Sequence, residues 1–200
     1  MKRLFFTLCL VLSSASLTRA ADMSGEIQRA ADHLQNTHAK FLASIDGLSA
    51  PQLAFKSAPT RWSIAEVAEH IASAEDFLMT MVQDQVMKAP ARTEQVSLKE
   101  IDDFILQAIT DRTNKIQAPE PLIPRNRFGS IEASRDHFQA SRARTIAFLK
   151  ATKDLREHAV DSPLGKKLDA YQWLLFISAH SERHTKQIEE VKADPNFPKA

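Results

Sequence analysis

The sequence predicts an all-α fold, a four-helix bundle with one short additional helix. Two observations carry that expectation. Only 4 glycines occur in 200 residues, and no stretch alternates β-branched apolar with polar residues as a half-buried strand does. Apolar residues instead recur every three or four positions in four long segments and one shorter one, the period of helices that each bury one face.

The first of these helices is expected from about Gly25 to Asp46, where Ile27, Leu34, His38, Phe41 and Ile45 return to one side. "LSAPQLAFKSAPT" follows as a connection, rich in Ala, Pro and small polar residues. The second helix opens within "RWSIAEVAEHIASAEDFLMTMV". Ser63 and Glu66 form a capping box, in which the hydroxyl accepts the amide three residues on and the carboxylate reaches back. Trp62 and Val67 stand where a hydrophobic staple places its pair, and Pro90 bounds the far end. The short helix covers about Ser97 to Lys115, with Ile101, Phe104, Ile105 and Ile109 on one side. In "QAPEPLIPRNRFGS" the prolines 119, 121 and 124 lie too close together for regular helix, and this long connection, residues 117–130, is expected to form a lid or rim. The third long helix starts after Ser130 and runs to about Thr152. "DSPLGKKLDA" then turns the chain into the last, from about Leu168 to Val191.

Ahead of the bundle stands "MKRLFFTLCLVLSSASLTRAADM". Lys2 and Arg3, an apolar run broken only by Thr7, and Ala20 with Thr18 two before it have the layout of a secretory signal peptide, residues 1–20, cleaved near Ala20. A domain over residues 22–194 would remain. An amphipathic helix of a cytosolic protein is the competing reading. Cys9 lies inside the apolar run, which excludes a lipoprotein. The run is too short for a membrane anchor, since a span needs about 20 apolar residues. Cleavage removes Lys2, Arg3 and Arg19 but no acid, so 26 basic and 25 acidic residues become 23 and 25. A net charge of −2 offers nucleic acid no basic surface. The sole cysteine leaves too, so any metal must be held by nitrogen and oxygen.

The last helix holds the segment "AHSERHTKQIEEV". At about 100° per residue, Ile177, His180, His184 and Val191 fall within about 40° of Trp173, with Gln187 on the flank. The two imidazoles are therefore in the middle of the core-facing stripe, about 6 Å apart along the axis, and can converge on one point. On the second helix His70 lies on the shoulder of the stripe Ile64, Val67, Ile71, Ala74 and Leu78, beside Phe77. Glu66, one turn earlier, is placed to accept a hydrogen bond from the His70 ring or to serve as a base. Glu69 is a second candidate base that points more outward. His38 and His137 read as structural histidines. Periodicity alone leaves two readings of the other three open, a buried polar cluster or a metal site.

The stretches "RWSIAEVAEHIASAEDFL" and "LDAYQWLLFISAHSERHTKQIEEV" resemble the two signature segments of the DinB-like superfamily, and the likeness extends through "LSAPQLAFKSAPTRWS" and "SRARTIAFL". The resemblance implies a four-helix bundle with one metal held by three histidines, here His70, His180 and His184. Three neutral imidazoles leave a coordination position open for water or substrate, as catalytic rather than structural sites do. Zinc suits such a donor set best, and nickel, iron or manganese also fit. The resemblance further implies thiol-dependent S-transfer, isomerisation with a low-molecular-weight thiol, or hydrolysis, and a homodimer is common among relatives. Export argues against an intracellular thiol. The expectation is therefore an exported metal-dependent enzyme, hydrolase-like or transferase-like, acting on a small molecule. Its alternative is a bundle that binds a metal or small ligand without catalysis. Phe77, Phe128, Tyr171 and the proline-bearing stretch are expected to shape the pocket, while Glu182 and Arg183 form a solvated face or pair with another helix.

Overall fold

In the computed structural model, residues 6–199 are described, with side chains from Met23 onward. The signal-peptide reading of residues 1–20 concerns side chains outside that range. Helix α1 spans Phe6–Ile45, α2 Ala50–Ala54, α3 Ile64–Asp84, α4 Leu98–Thr110, α5 Ile131–Ala151 and α6 Ala170–Lys192. Between α5 and α6, β1 (Ala159–Asp161) pairs antiparallel with β2 (Lys167–Asp169), Val160 opposite Leu168. Among the described residues no helix is long and apolar enough to cross a membrane.

The four long helices close into a ring: α1 packs on α6 and α5, and α3 packs on the same two. The short additional helix α4 lies against α6. Contacted from three sides, α6 buries most of its residues from Ala170 to Ser181. The bundle expected from the periodicity is therefore present, with differences at its edges. Helix α1 begins at Phe6, upstream of the expected Gly25. Helix α4 stops at Thr110 and not at Lys115, because the Asp111 side chain accepts the Thr113 amide (2.9 Å) and turns the chain. "DSPLGKKLDA" is a hairpin, its turn made at Gly165, where φ is +67° and a side chain would be strained.

Helix starts follow the local chemistry closely. Ser63 Oγ accepts the Glu66 amide (3.3 Å) and Glu66 Oε2 accepts the Ser63 amide (2.8 Å), the predicted capping box. Asp169 and Gln172 repeat it at α6 (2.8 and 3.0 Å). Replacing Ser63 with alanine is expected to cost about 1 kcal/mol, read as a lower urea midpoint with unchanged slope. A loss below about 0.3 kcal/mol would show that tertiary packing alone sets this helix start.

Two apolar clusters fill the ring. One gathers Leu34, Leu78, Ile105, Leu149, Trp173 and Ile177, the other Phe41, Ile64, Val67, Ile71, Phe138 and Ile188. Between them every long helix contributes polar residues: Thr37, Glu75, Arg142 with Thr145, and Ser178 with Ser181, all buried. A core of this kind is stable only if each polar group is paired. Arg142 donates to both Glu75 oxygens (2.8 and 2.8 Å), to the Leu34 carbonyl (2.7 Å), to Thr37 Oγ1 (2.9 Å) and to Ser181 Oγ (2.7 Å). All five guanidinium protons are used. Thr145 Oγ1 adds a bond to Glu75 (2.7 Å).

Candidate metal centre

His70 comes from the second turn of α3, and His180 and His184 from successive turns of α6. Packing of α3 on α6 brings the three rings together. His70 Nε2 lies 3.3 Å from His180 Nε2 and 3.1 Å from His184 Nε2. One nitrogen from each ring falls within 4.8 Å of the others, and no other His, Cys, Asp or Glu among the described residues joins them. The triad read from helical spacing is thus one cluster in space.

The outer nitrogens show which way the rings are protonated. His70 Nδ1 is 2.8 Å from the Leu122 carbonyl, which can only accept, so a neutral His70 carries its proton on Nδ1. His184 Nδ1 is 2.8 Å from Gln187 Oε1. Arg112 Nη1 donates to that same oxygen (3.4 Å), which fixes the amide with its oxygen toward both donors. Arg112 is itself held by both Glu190 carboxylate oxygens. His184 therefore also keeps its proton on Nδ1. The two Nε2 atoms 3.1 Å apart both present lone pairs, and neither has a proton to give.

A proton could bridge them, but the surroundings disfavour it. Burial pushes all three histidines below their ordinary value of 6.5. For His180 the neighbouring His70 and the Arg183 and Arg142 guanidiniums add to burial, and for His184 the other two rings do so. For His70, Arg127 adds to burial, while the Leu122 carbonyl and Glu69 oppose it. Three neutral rings, two of them with fixed inward lone pairs and the third with its Nε2 turned to the same point, are a donor set for a cation. Tetrahedral zinc with Zn–N bonds of about 2.0–2.1 Å needs nitrogens roughly 3.3–3.4 Å apart, close to the 3.3 and 3.1 Å that separate His70 Nε2 from His180 and His184.

Aromatic rings cover the imidazoles. Trp62 tilts over His70 (centroids 4.8 Å apart) and stacks toward His184 (6.5 Å), and Phe176 stacks on His180 (6.5 Å). These two take the place expected for Phe77, Phe128 and Tyr171. Phe77 is 44% exposed, Phe128 pairs with His137, and the Tyr171 hydroxyl donates to the Glu26 carbonyl beneath Arg156. His137 bonds Asp76, as expected of a structural histidine, while His38 tilts against Phe138 with its buried Nε2 unpartnered among the described residues; both lie outside the cluster.

Two assignments need correction. Glu66 does not bond to His70: its oxygens are taken by the Ser63 amide and by Lys56 (2.7 Å), so the cap consumes the carboxylate. Glu69 does not point outward. It is 5% exposed and accepts the amides of Arg125 and Asn126, both at 2.7 Å. Arg183 takes the second of the two places expected for it, against another helix and not in a solvated face. It is buried and donates to the carbonyls of Ile109, Asp111 and Asn114, closing the C-terminal end of α4. The supports that the sequence did not reveal are Leu122, Gln187 and Arg112. Only Gln187, on the flank of the buried stripe, left a trace in the helical pattern.

A helical ring whose interior carries a convergent tris-histidine cluster is a bundle built around a site. The chain belongs to the DinB superfamily, which it matches over residues 33–188. YuaE of Bacillus subtilis (strain 168), an uncharacterized protein, is 30% identical over 149 residues, 74% of this chain and 88% of YuaE. The solved structure of YfiT from Bacillus subtilis, described as a probable metal-dependent hydrolase with an unusual four-helix bundle topology, superimposes with a TM-score of 0.53. That likeness covers 86% of this chain and 89% of YfiT at 15% sequence identity, and shows a shared fold.

Proposed function

We propose that His70, His180 and His184 hold one divalent cation and that the protein is an exported metal-dependent enzyme of hydrolase or transferase type acting on a small molecule. The observation that carries this reading is the pair of inward lone pairs on His70 and His184, which only a positive centre makes favourable. Zinc fits three imidazole nitrogens best, with nickel, iron and manganese as competitors. When bound, such an ion supplies a Lewis acid that polarises a substrate oxygen or acidifies a water. The chain's own residues prepare for it. Leu122 and Gln187 hold the ring tautomers, and Trp62 and Phe176 cover ring faces. The description of YfiT as a probable metal-dependent hydrolase supports the hydrolytic branch. Export rests on Lys2, Arg3 and the apolar run after them, and a mature chain beginning at Ala21 would agree with it.

A second reading, metal or small-ligand binding without catalysis, is favoured by one observation. Glu66 and Glu69, the two candidate bases, are both committed to backbone amides. Protein purified without an affinity tag is expected to carry about one divalent ion per chain. Because the ligands must be neutral, acid should release it. The sign follows from the lowered histidine values. The neutral site is intact above 6.5, and it is lost as the pH falls through the folded values. Metal content that stays constant as the pH falls from 8 until the fold itself is lost would contradict imidazole ligation. Esters, phosphates, amides and thiol–acceptor pairs offered to loaded protein separate the two readings. Turnover that survives both chelation and His184→Ala would end the enzyme reading.

A further inference from the structure

The connection between α4 and α5 touches His70 at the Leu122 carbonyl, which accepts from Nδ1. Pro119, Pro121 and Pro124 give this stretch three residues without an N–H, so it cannot be secured by a regular backbone ladder. Its outer part, Arg125 to Arg127, is exposed. What ties that part down is Glu69. Its two oxygens accept the successive amides of Arg125 and Asn126 (both 2.7 Å), and Arg127 Nε lies 3.4 Å from it. Asn126 adopts a positive φ of 59°, and the two adjacent amides converge on one anion, as backbone anion nests do. A carboxylate buried to this degree is costly unless bonded, so these bonds are strongly selected in the folded state. Glu69 and His70 are neighbours on α3. The carboxylate and the imidazole thus grip the same short segment, three residues apart.

We infer that Glu69 is the positioning residue of His70: by clamping the Arg125 and Asn126 amides it keeps the Leu122 carbonyl on Nδ1 and so keeps the Nε2 lone pair facing His180 and His184. The inference rests on the reading of His70 as a metal ligand. Its competitor is specific. The Leu122 side chain is buried and could hold the carbonyl in place unaided. If Glu69 does the holding, removing it lets the carbonyl leave, and the His70 proton becomes free to occupy either nitrogen. Outer partners of ligating histidines affect metal affinity about 10–100-fold through this kind of tautomer and orientation control.

Two measurements on full-length protein test this. Long-range proton–nitrogen NMR of the metal-free protein, with the His70 signals identified by their loss in His70→Gln, reports the tautomer directly. A zinc titration against a chromophoric chelator reports affinity. Wild type is expected to show His70 protonated on Nδ1 alone. Glu69→Ala is expected to show mixed tautomers and zinc binding weaker by about tenfold or more. Glu69→Gln, which keeps one acceptor oxygen, should fall between them. Asp103→Ala, an exposed substitution on α4, should match wild type in both. Glu69 variants that keep the wild-type tautomer and bind zinc within about twofold of it would overturn the inference and leave the metal reading standing. Wild type that binds no zinc would sink the metal reading, and the tautomer comparison would still decide the role of Glu69. Should Glu69→Ala fail to fold, Glu69→Gln decides alone: a shifted tautomer supports the clamp and an unchanged one overturns it.

Discussion

Replacing His184 with alanine is expected to weaken divalent-metal binding by more than about a hundredfold, beyond the range seen when only an outer partner is removed. The same change should barely alter the metal-free protein. There it removes one of two lone pairs facing each other at 3.1 Å, and this relief offsets part of the lost ring packing and of the lost Gln187 bond, leaving a cost under about 1 kcal/mol. The opposition between the two states is the diagnostic feature. A structural polar cluster would behave the other way round, because deleting one member of a satisfied buried network costs about 1–3 kcal/mol whether or not metal is present. Thermal melts check this. At a free zinc concentration a hundred times the dissociation constant, wild type should gain about 2.7 kcal/mol, and His184→Ala should gain almost nothing. Equal gains in the two proteins would place the ion elsewhere.

The second large effect is expected far from any ligand atom. Arg142→Met should destabilise the protein by about 3–5 kcal/mol, because Glu75 would stay buried as a charge with only Thr145 beside it. At 2–4 °C per kcal/mol for a domain of this size, the midpoint should fall by roughly 6–20 °C. Arg142 is 1% exposed and stands over the Phe138 ring, so methionine replaces part of the packing and the loss reports mainly the stranded carboxylate. Changing Glu75 to leucine at the same time should recover most of the stability, since removing both partners of a buried pair is often close to neutral. Urea unfolding of the two singles and the double forms the cycle. A single-substitution cost below about 1 kcal/mol would mean that water reaches the layer between the two apolar clusters. Ser181 belongs to that layer and is next to His180 in the chain, so the network also fixes how α6 presents its histidines.

The pairing of His180 with His184 was legible because both rings repeat at the spacing of the buried stripe. The start of α3 was legible because Ser63 and Glu66 form a local motif whose geometry depends on nothing distant. Other features were not, and for physical reasons. The Leu122 carbonyl is a backbone atom 52 positions from His70, and a backbone acceptor carries no side-chain signature. Helical spacing places Glu66 within reach of His70, but the cap requires the same carboxylate, and local capping prevails. Glu69 read as solvent-facing because the connection that covers it cannot be traced from periodicity. Arg142 follows the same rule in reverse, since a pattern of charges along α5 suggests solvent until Glu75 is known to meet it. The hairpin before α6 escaped notice because three-residue strands are too short to show alternation.

The proposed function stands or falls on whether three imidazoles from α3 and α6 grip one cation. Diffraction from zinc-loaded crystals of the mature protein, recorded above and below the zinc absorption edge, tests it most directly. The expected result is one anomalous peak per chain, about 2.0–2.1 Å from Nε2 of His70, His180 and His184 together. A peak on other residues, or none in the cluster at saturating zinc, would contradict it.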